Sequence, residues 1–182
     1  MDIYDPAQYY ITDMLLQAYP KIRKEYQRWH WLFKKFRYSE TKKLRGESGT
    51  ASQLENHGAW ELLPIMVKNQ GLWKTKLFFP TTYALIDQVP VYDNMAFSIY
   101  HPGTEIDVHR GWSDNHIRFQ LGIDCNDNSC LVVNDIHIPQ RNGEVIVFND
   151  YQLHWGYNRG DTTRVVLLFD VLKEDLEKSR KK

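Results

Sequence analysis

The sequence has few of the features that assign a chain to a special class of protein. Its 182 residues include two cysteines, Cys125 and Cys130, too few for a disulfide framework. We therefore expect free thiols in a reducing, cytoplasmic setting. No apolar run is long enough for a membrane helix, and the start lacks the pattern of a secretory signal. Lys plus Arg and Asp plus Glu both number 23, so charge predicts neither nucleic acid nor membrane as a partner.

The first half of the chain has the periodicity of helices. An apolar stripe at spacings of three and four predicts an amphipathic helix, which Pro20 would begin. The stripe consists of Ile22, Tyr26, Trp29, Phe33 and Phe36. We interpret its segment WHWLFKKFRY as a packing face; the alternative is an aromatic, basic surface for a partner or lipid. Residues 39–58 are polar and aperiodic, which predicts a loop, disordered or acting as a lid. TTYALIDQV predicts a short helix capped by Thr81 or Thr82.

From Asp93 onward the pattern changes to that of strands. The β-branched and aromatic runs are NMAFSIYHPG, HIRFQLGID, SCLVVND, GEVIVFND and TRVVLLFDV, separated by turn-forming residues. Short strands at this density predict an antiparallel barrel or jelly roll. The sequence thus predicts a single, mainly β domain with N-terminal helices. Within it we distinguish a helical extension and loop (1–58), a β core (59–172) and a charged tail (173–182).

Two histidines in this β region are candidate metal ligands. His109 and His154 come from different strands, which a small barrel can bring to one point. Non-heme Fe(II) sites use two histidines and one carboxylate, and the carboxylate commonly stands two residues after the first histidine. Here that position is Gly111, whereas Asp107 lies two residues before His109. Two arrangements remain open: the histidines alone with water completing the site, or Asp107 as a third ligand.

Two arginines occur within predicted strands. Arg118 shares a strand face with Gln120 and Gly122, and Arg164 opens the apolar run RVVLLFDV. A buried guanidinium requires an anionic partner, either an acidic side chain of the protein or a bound carboxylate that it grips with two hydrogen bonds. Two such arginines near two histidines favour a small dicarboxylate as ligand.

These segments together resemble a known family. HPGTEIDVHRG, the interval to IRFQLGI, GEVIVFND before His154 and RVVLLFDV after it are similar to the aspartyl/asparaginyl β-hydroxylases. Those proteins are Fe(II)- and 2-oxoglutarate-dependent dioxygenases built on a double-stranded β-helix, a jelly-roll or cupin-like barrel. The family has His-x-Gly where related oxygenases have His-x-Asp, and His109-Arg110-Gly111 reproduces that feature. The resemblance covers roughly residues 60–172 and favours two protein ligands.

The resemblance also implies roles for individual residues. His109 and His154 would bind Fe(II), and Arg164 would bind the distal carboxylate of 2-oxoglutarate. Ser98 and Arg118 match positions that line the co-substrate site, and Arg118 would bind the other carboxylate. Gln120 departs from the family, whose well-known members have a histidine there. The implied reaction is hydroxylation of an unactivated C–H by O2, with release of succinate and CO2.

The substrate and one rival function remain open. We expect an amino acid, or an aspartyl or asparaginyl residue of a peptide, as substrate. The lack of a membrane segment disfavours a lipid substrate. The alternative is a cupin-like metal or small-molecule binding protein without oxygenase activity. Gly143, His154 and Asn158 fit a second cupin motif, but His109-Arg110-Gly111 lacks the His-x-His of the first.

Overall fold

The computed structural model describes residues 2–37 and 55–181. Four α-helices lie within these ranges: α1 (Tyr10–Trp29), α2 (Trp73–Phe78), α3 (Pro80–Gln88) and α4 (Lys173–Lys178). Short 3-10 helices at Pro6–Gln8 and His30–Leu32 flank α1.

Thirteen strands make up most of the remaining described chain. They are β1 (Ile3–Tyr4), β2 (Phe36–Arg37), β3 (Glu55–His57), β4 (Trp60–Val67), β5 (Gln70–Gly71), β6 (Val91–Tyr100), β7 (Thr104–His109), β8 (His116–Asp124), β9 (Ser129–Val133), β10 (Ile136–Pro139), β11 (Val145–Phe148), β12 (His154–Asn158) and β13 (Arg164–Leu172).

The strands form two antiparallel sheets. The larger has the order β1-β11-β8-β13-β6-β4-β2, with β5 paired to β4, and the smaller has the order β10-β9-β12-β7-β3. Successive strands alternate between the two sheets from β6 to β9 and again from β10 to β13. The topology confirms the prediction of a mainly β, jelly-roll or double-stranded β-helix fold with an N-terminal helix.

Alternation along β8 separates two environments. Phe119 and Leu121 are fully buried and belong to one apolar cluster with Ile11 and Leu15 of α1. The other face of β8 carries His116, Arg118, Gln120 and Gly122. The N-terminal helix therefore covers one apolar face of the larger sheet. The opposite, polar face is left for the candidate site, which is the face the sequence assigned to Arg118.

The sequence misplaced both helix starts that it predicted. Pro20 lies inside α1, which begins ten residues earlier and ends at Trp29. Helix α3 begins at Pro80, so Thr81 and Thr82 lie in its first turn and do not cap it. Their backbone N–H groups donate to the Glu25 carboxylate of α1, at 2.6 Å and 3.0 Å. A side chain distant in sequence thus supplies this cap, and local patterns do not reveal such a partner.

The structure also places three other segments that the sequence analysis distinguished. Of the expected loop 39–58, residues 39–54 lie outside the described residues, and Glu55–His57 forms a strand paired with β7. The apolar stretch Trp60–Val67 is a strand of the larger sheet. The charged tail begins with α4, whose Leu176 is buried in the main apolar cluster. Within the described ranges, no helix is long and apolar enough to cross a bilayer.

Candidate active site

The structure brings His109 and His154 side by side in the smaller sheet. They are direct partners in the register of β7 and β12, and their ring centroids lie 4.2 Å apart. His154 is buried, and Phe148 packs edge-on against its ring at 5.3 Å. The two imidazoles from separate strands therefore meet at one point, as the sequence predicted for a metal-binding pair.

Each histidine is held by its own backbone in the same way. The Nδ1 of His109 lies 2.8 Å from the carbonyl oxygen of Asp107, and the Nδ1 of His154 lies 2.9 Å from that of Gln152. Because a carbonyl oxygen only accepts hydrogen bonds, Nδ1 carries the proton in both rings. Burial lowers the pKa of His109 and lowers that of His154 to about 4, so both are neutral near pH 7. Both Nε2 lone pairs are therefore available to a metal ion.

A buried carboxylate that the sequence did not single out lies beside this pair. Asp150 is 2% exposed, and its Oδ1 lies 3.2 Å from Nε2 of His154. Burial opposes ionisation of Asp150, but the adjacent positive charge of the Arg118 guanidinium outweighs it. The pKa of Asp150 is consequently well below its ordinary value. A carboxylate facing an unprotonated Nε2 is a local environment that favours a cation.

Gly111 makes room for this carboxylate. A Cβ placed on Gly111 would come within 2.0 Å of Oδ2 of Asp150, and the Gly111 N–H donates to the Asp150 carbonyl at 2.7 Å. Asp150 therefore fills the space that a side chain at position 111 would take. Within the described part of the chain, no group of three or more His, Cys, Asp or Glu side chains is arranged to hold a metal. A metal site with His109 and His154 as its two protein ligands, without Asp107, stays a prediction.

Arg118 is paired within the protein. Its Nε and Nη2 donate to the two oxygens of Asp170 at 2.8 Å and 2.9 Å, and its Nη1 donates to Asp150. The sequence left open whether an acidic side chain of the protein or a bound carboxylate pairs with this guanidinium. In the structure, acidic side chains of the protein do so. The role of Arg118 in binding 2-oxoglutarate stays a prediction, and such binding would compete with two carboxylates already in place.

Arg164 has a different environment. It is 2% exposed, its guanidinium lies 3.5 Å from the ring centroid of Tyr100, and Nη1 donates to the Ser98 carbonyl at 3.5 Å. Within the described residues no carboxylate pairs with it, and its Nε has no hydrogen-bond partner. Burial lowers the pKa of Arg164 from its ordinary value, but Arg remains charged in proteins. A buried, unmatched cation of this kind is a suitable site for a ligand carboxylate.

Trp60 connects the arginine to the histidines. Its indole N–H donates to the Ser98 hydroxyl at 3.0 Å, and its ring packs against Tyr100 at 5.7 Å and His109 at 6.4 Å. In register, Tyr100 is the partner of both Trp60 and Arg164. Trp60 thus lies between His109 on one side and Ser98 and Tyr100, the neighbours of Arg164, on the other.

Several residues of this region were missed from the sequence. Asp150 lies two residues after the end of the apolar strand β11, and that placement of an acid was the one available signal. Asp170 lies in an apolar strand opposite Arg118, so strand pairing had to be known to match them. His116 is fully buried, with Nε2 3.9 Å from Asp150 and 3.8 Å from Asp170, and nothing in its sequence context indicated these partners. Gln120 accepts a hydrogen bond from Gln140 at 2.6 Å.

Comparison with solved structures finds distant likenesses. A cupin 2 conserved barrel domain protein from Salinispora arenicola is 12% identical, with a TM-score of 0.42 over 72% of this chain and 92% of that chain. A prolyl-4-hydroxylase from Pseudomonas putida is 14% identical, with a TM-score of 0.41 over 74% and 82%. Likeness at this level concerns the fold class and carries no argument about chemistry.

Sequence comparison finds curated relatives whose names describe hydroxylases. An ornithine lipid ester-linked acyl 2-hydroxylase from Rhizobium tropici is 28% identical over 177 residues, which is 94% of this chain and 60% of that protein. Aspartate beta-hydroxylase domain-containing protein 2 from Rattus norvegicus is 31% identical over 50% of this chain and 29% of that protein. The chain thus spans about three fifths or less of the lengths of these relatives.

The family model described as Aspartyl/Asparaginyl beta-hydroxylase matches residues 17–174. The chain belongs to this family, as the motifs around the histidines and arginines predicted.

Proposed function

We propose that the protein is an Fe(II)- and 2-oxoglutarate-dependent hydroxylase in which His109 and His154 hold the metal and Arg164 binds the co-substrate. The observation that carries the proposal is the pair of neighbouring neutral imidazoles, each with Nδ1 tied to a backbone carbonyl and Nε2 unprotonated. When bound, Fe(II) with 2-oxoglutarate and O2 supplies the oxidant that converts C–H to C–OH, with release of succinate and CO2.

The donor set fits a divalent iron. Imidazole nitrogen is a good ligand for iron, and two protein ligands leave coordination positions for a bidentate co-substrate and O2. Fixing the Nδ1 proton by hydrogen bonds from both rings orients the ligands before the metal arrives. Asp150, held by Arg118 and excluded from water, contributes a negative charge beside the metal position. We assign Arg118 the task of keeping that carboxylate ionised and in place.

Arg164 supports the co-substrate assignment. A guanidinium can grip a carboxylate with two parallel hydrogen bonds, and this one is buried without a carboxylate of the described residues to receive them. The Ser98 hydroxyl, on the neighbouring strand, can donate its proton to the same ligand while it accepts from Trp60. A diacid anchored at Arg164 would extend past Trp60 toward His109. The Trp60 ring contacts both the Tyr100 ring, on which Arg164 packs, and the His109 ring.

The substrate is proposed in two alternatives. An amino acid, or an aspartyl or asparaginyl residue, is the substrate class that the family name implies. A lipid acyl chain is the second, favoured by similarity to the ornithine lipid hydroxylase across 94% of this chain. Exposed apolar side chains also occur on both segments that carry the histidines: Val108, Trp112, Tyr151 and Leu153.

The test is a turnover assay with purified protein, Fe(II), ascorbate, 2-oxoglutarate and O2. We expect succinate release that is stimulated by the true substrate, screened among amino acids, aspartyl and asparaginyl peptides, and dispersed acyl lipids. His154→Ala should abolish this release. Metal binding without succinate from any substrate would instead favour the cupin-like binding protein.

A further inference from the structure

A second feature of the molecule lies away from the candidate active site. The three most exposed large apolar side chains among the described residues are Trp73 (69%), Leu77 (68%) and Trp31 (65%). Leu32, at 44%, adjoins them in sequence. The segments that carry them are neighbours in space, because Phe78 of α2 packs against the rings of Trp29 and Phe33 at 5.4 Å and 5.5 Å. We call the surface formed by Trp31, Leu32, Trp73 and Leu77 the tryptophan face.

An open apolar groove of about 540 Å³ runs beneath this face. It lies between the end of the N-terminal helical segment, strand β4 and helix α2. Its lining includes Leu32, Phe33, Leu63, Pro64, Trp73 and Phe78. A groove of this volume and composition accepts a flexible apolar chain or apolar side chains.

The two segments that carry the tryptophan face have charged side chains of one sign. Residues 28–37 and 72–79 contain six cationic side chains and no Asp or Glu, although the whole chain has zero net charge. Arg37 lies opposite Glu61 in register, and none of the other five forms an ion pair within the described residues. These five are Arg28, Lys34, Lys35, Lys74 and Lys76. The face is therefore apolar at its centre and positive at its edge, so its partner should carry negative charge.

We propose that the tryptophan face docks the protein onto an anionic lipid bilayer. Tryptophan side chains partition to the bilayer interface, where the ring is apolar and the indole N–H stays hydrated. Lysine stems extend along the apolar surface and place their ammonium groups at the level of anionic headgroups. The groove beneath the tryptophans accommodates a segment of acyl chain drawn up from the leaflet. This surface uses neither the histidines nor the arginines of the proposed hydroxylase site.

Sedimentation with lipid vesicles tests the proposal without iron or turnover, so its failure and the failure of the hydroxylase assignment are distinguishable. The probes are phosphatidylcholine vesicles with and without phosphatidylglycerol. We expect binding to the anionic vesicles, little binding to pure phosphatidylcholine, and a blue shift of tryptophan emission on binding. Equal binding to both vesicle types, or no binding to the anionic ones, would overturn the proposal.

Double variants distinguish binding through the tryptophan face from non-specific adsorption to vesicles. Lys34→Glu with Lys74→Glu changes two exposed side chains and should weaken anionic-vesicle binding about tenfold or more. Trp31→Ala with Trp73→Ala should abolish the emission shift.

Two controls alter exposed side chains elsewhere: Ile136→Ala changes an apolar residue on β10, and Arg141→Glu changes a cation just after that strand. Both should leave binding unchanged. Binding that withstands the lysine changes, or equal loss in the controls, contradicts the assignment. A size-exclusion shift from dimer to monomer in the tryptophan variant would assign the face to a second copy and overturn it.

Discussion

Replacing Arg164 by methionine separates a ligand-binding role from a structural one. Methionine preserves the length and bulk of the side chain and removes the buried charge. The change forfeits the contact with the Tyr100 ring, about 2 kcal/mol for a desolvated cation–π pair, but it relieves a guanidinium that no described carboxylate neutralises. We therefore expect the free energy of unfolding of the ligand-free protein to fall by no more than about 1 kcal/mol, a loss of roughly 2–4 °C in Tm.

The effect on 2-oxoglutarate should be much larger. Hydrogen bonds to a charged group contribute about 1.5–3 kcal/mol each, so loss of two of them costs about 3–6 kcal/mol. That cost corresponds to a Kd raised roughly a hundredfold to ten-thousandfold. Anaerobic calorimetric titration with 2-oxoglutarate measures the Kd, and thermal melts with and without ligand measure the stability.

The matched control is Arg159→Met. Arg159 is exposed, lies 3.6 Å from Glu105, and its removal should change neither Kd nor Tm appreciably. Two results would refute the reasoning about Arg164. An unfolding free energy lowered by more than about 3 kcal/mol would show that its guanidinium is structural. A Kd equal to that of the wild type would show that the co-substrate carboxylate binds elsewhere.

Three further measurements test other parts of the structure. Gly111→Ala places a Cβ 2.0 Å from Oδ2 of Asp150 and should destabilise the protein by about 1–3 kcal/mol in urea unfolding; an unchanged midpoint would contradict this. Glu25→Ala removes three hydrogen bonds at the start of α3 and should lower Tm by about 3–6 °C, whereas an unchanged melt would show the cap is dispensable. Burial raises the pKa of Cys125 to about 11, so iodoacetamide at pH 8 should label the native thiol on the order of a hundredfold more slowly than the unfolded one. Mass spectrometry measures that rate, and equal rates would refute it.

The strand pattern was readable from the sequence because alternation depends on neighbouring residues. Along HIRFQLGID, the apolar residues Phe119 and Leu121 face the N-terminal helix, and Arg118 and Gln120 face the opposite side, as the period of two predicts. The helix ends were not readable with the same accuracy. Pro20 is tolerated inside α1, and the cap of α3 comes from Glu25, a residue 56 positions before Thr81.

The candidate site was likewise predictable from the sequence only in part. The sequence pointed to His109 and His154, and the structure places them as direct strand partners. The sequence also left open whether a protein carboxylate or a ligand carboxylate pairs with each buried arginine, because the answer depends on pairing between distant strands. Asp170 lies opposite Arg118 across β8 and β13, whereas Arg164 lies opposite the ring of Tyr100. Composition and spacing do not distinguish these two outcomes.

An anaerobic titration of the metal-free protein with Fe(II) and 2-oxoglutarate tests the two-histidine site most directly. We expect one Fe(II) per chain and, on addition of 2-oxoglutarate, the weak visible charge-transfer band of the chelate. His154→Ala should lose the band and bind Fe(II) more than about a hundredfold more weakly, because one imidazole then remains. Asp107→Ala should retain both properties. Full Fe(II) binding with an intact band in His154→Ala, or no band in the wild type, would contradict the two-histidine site.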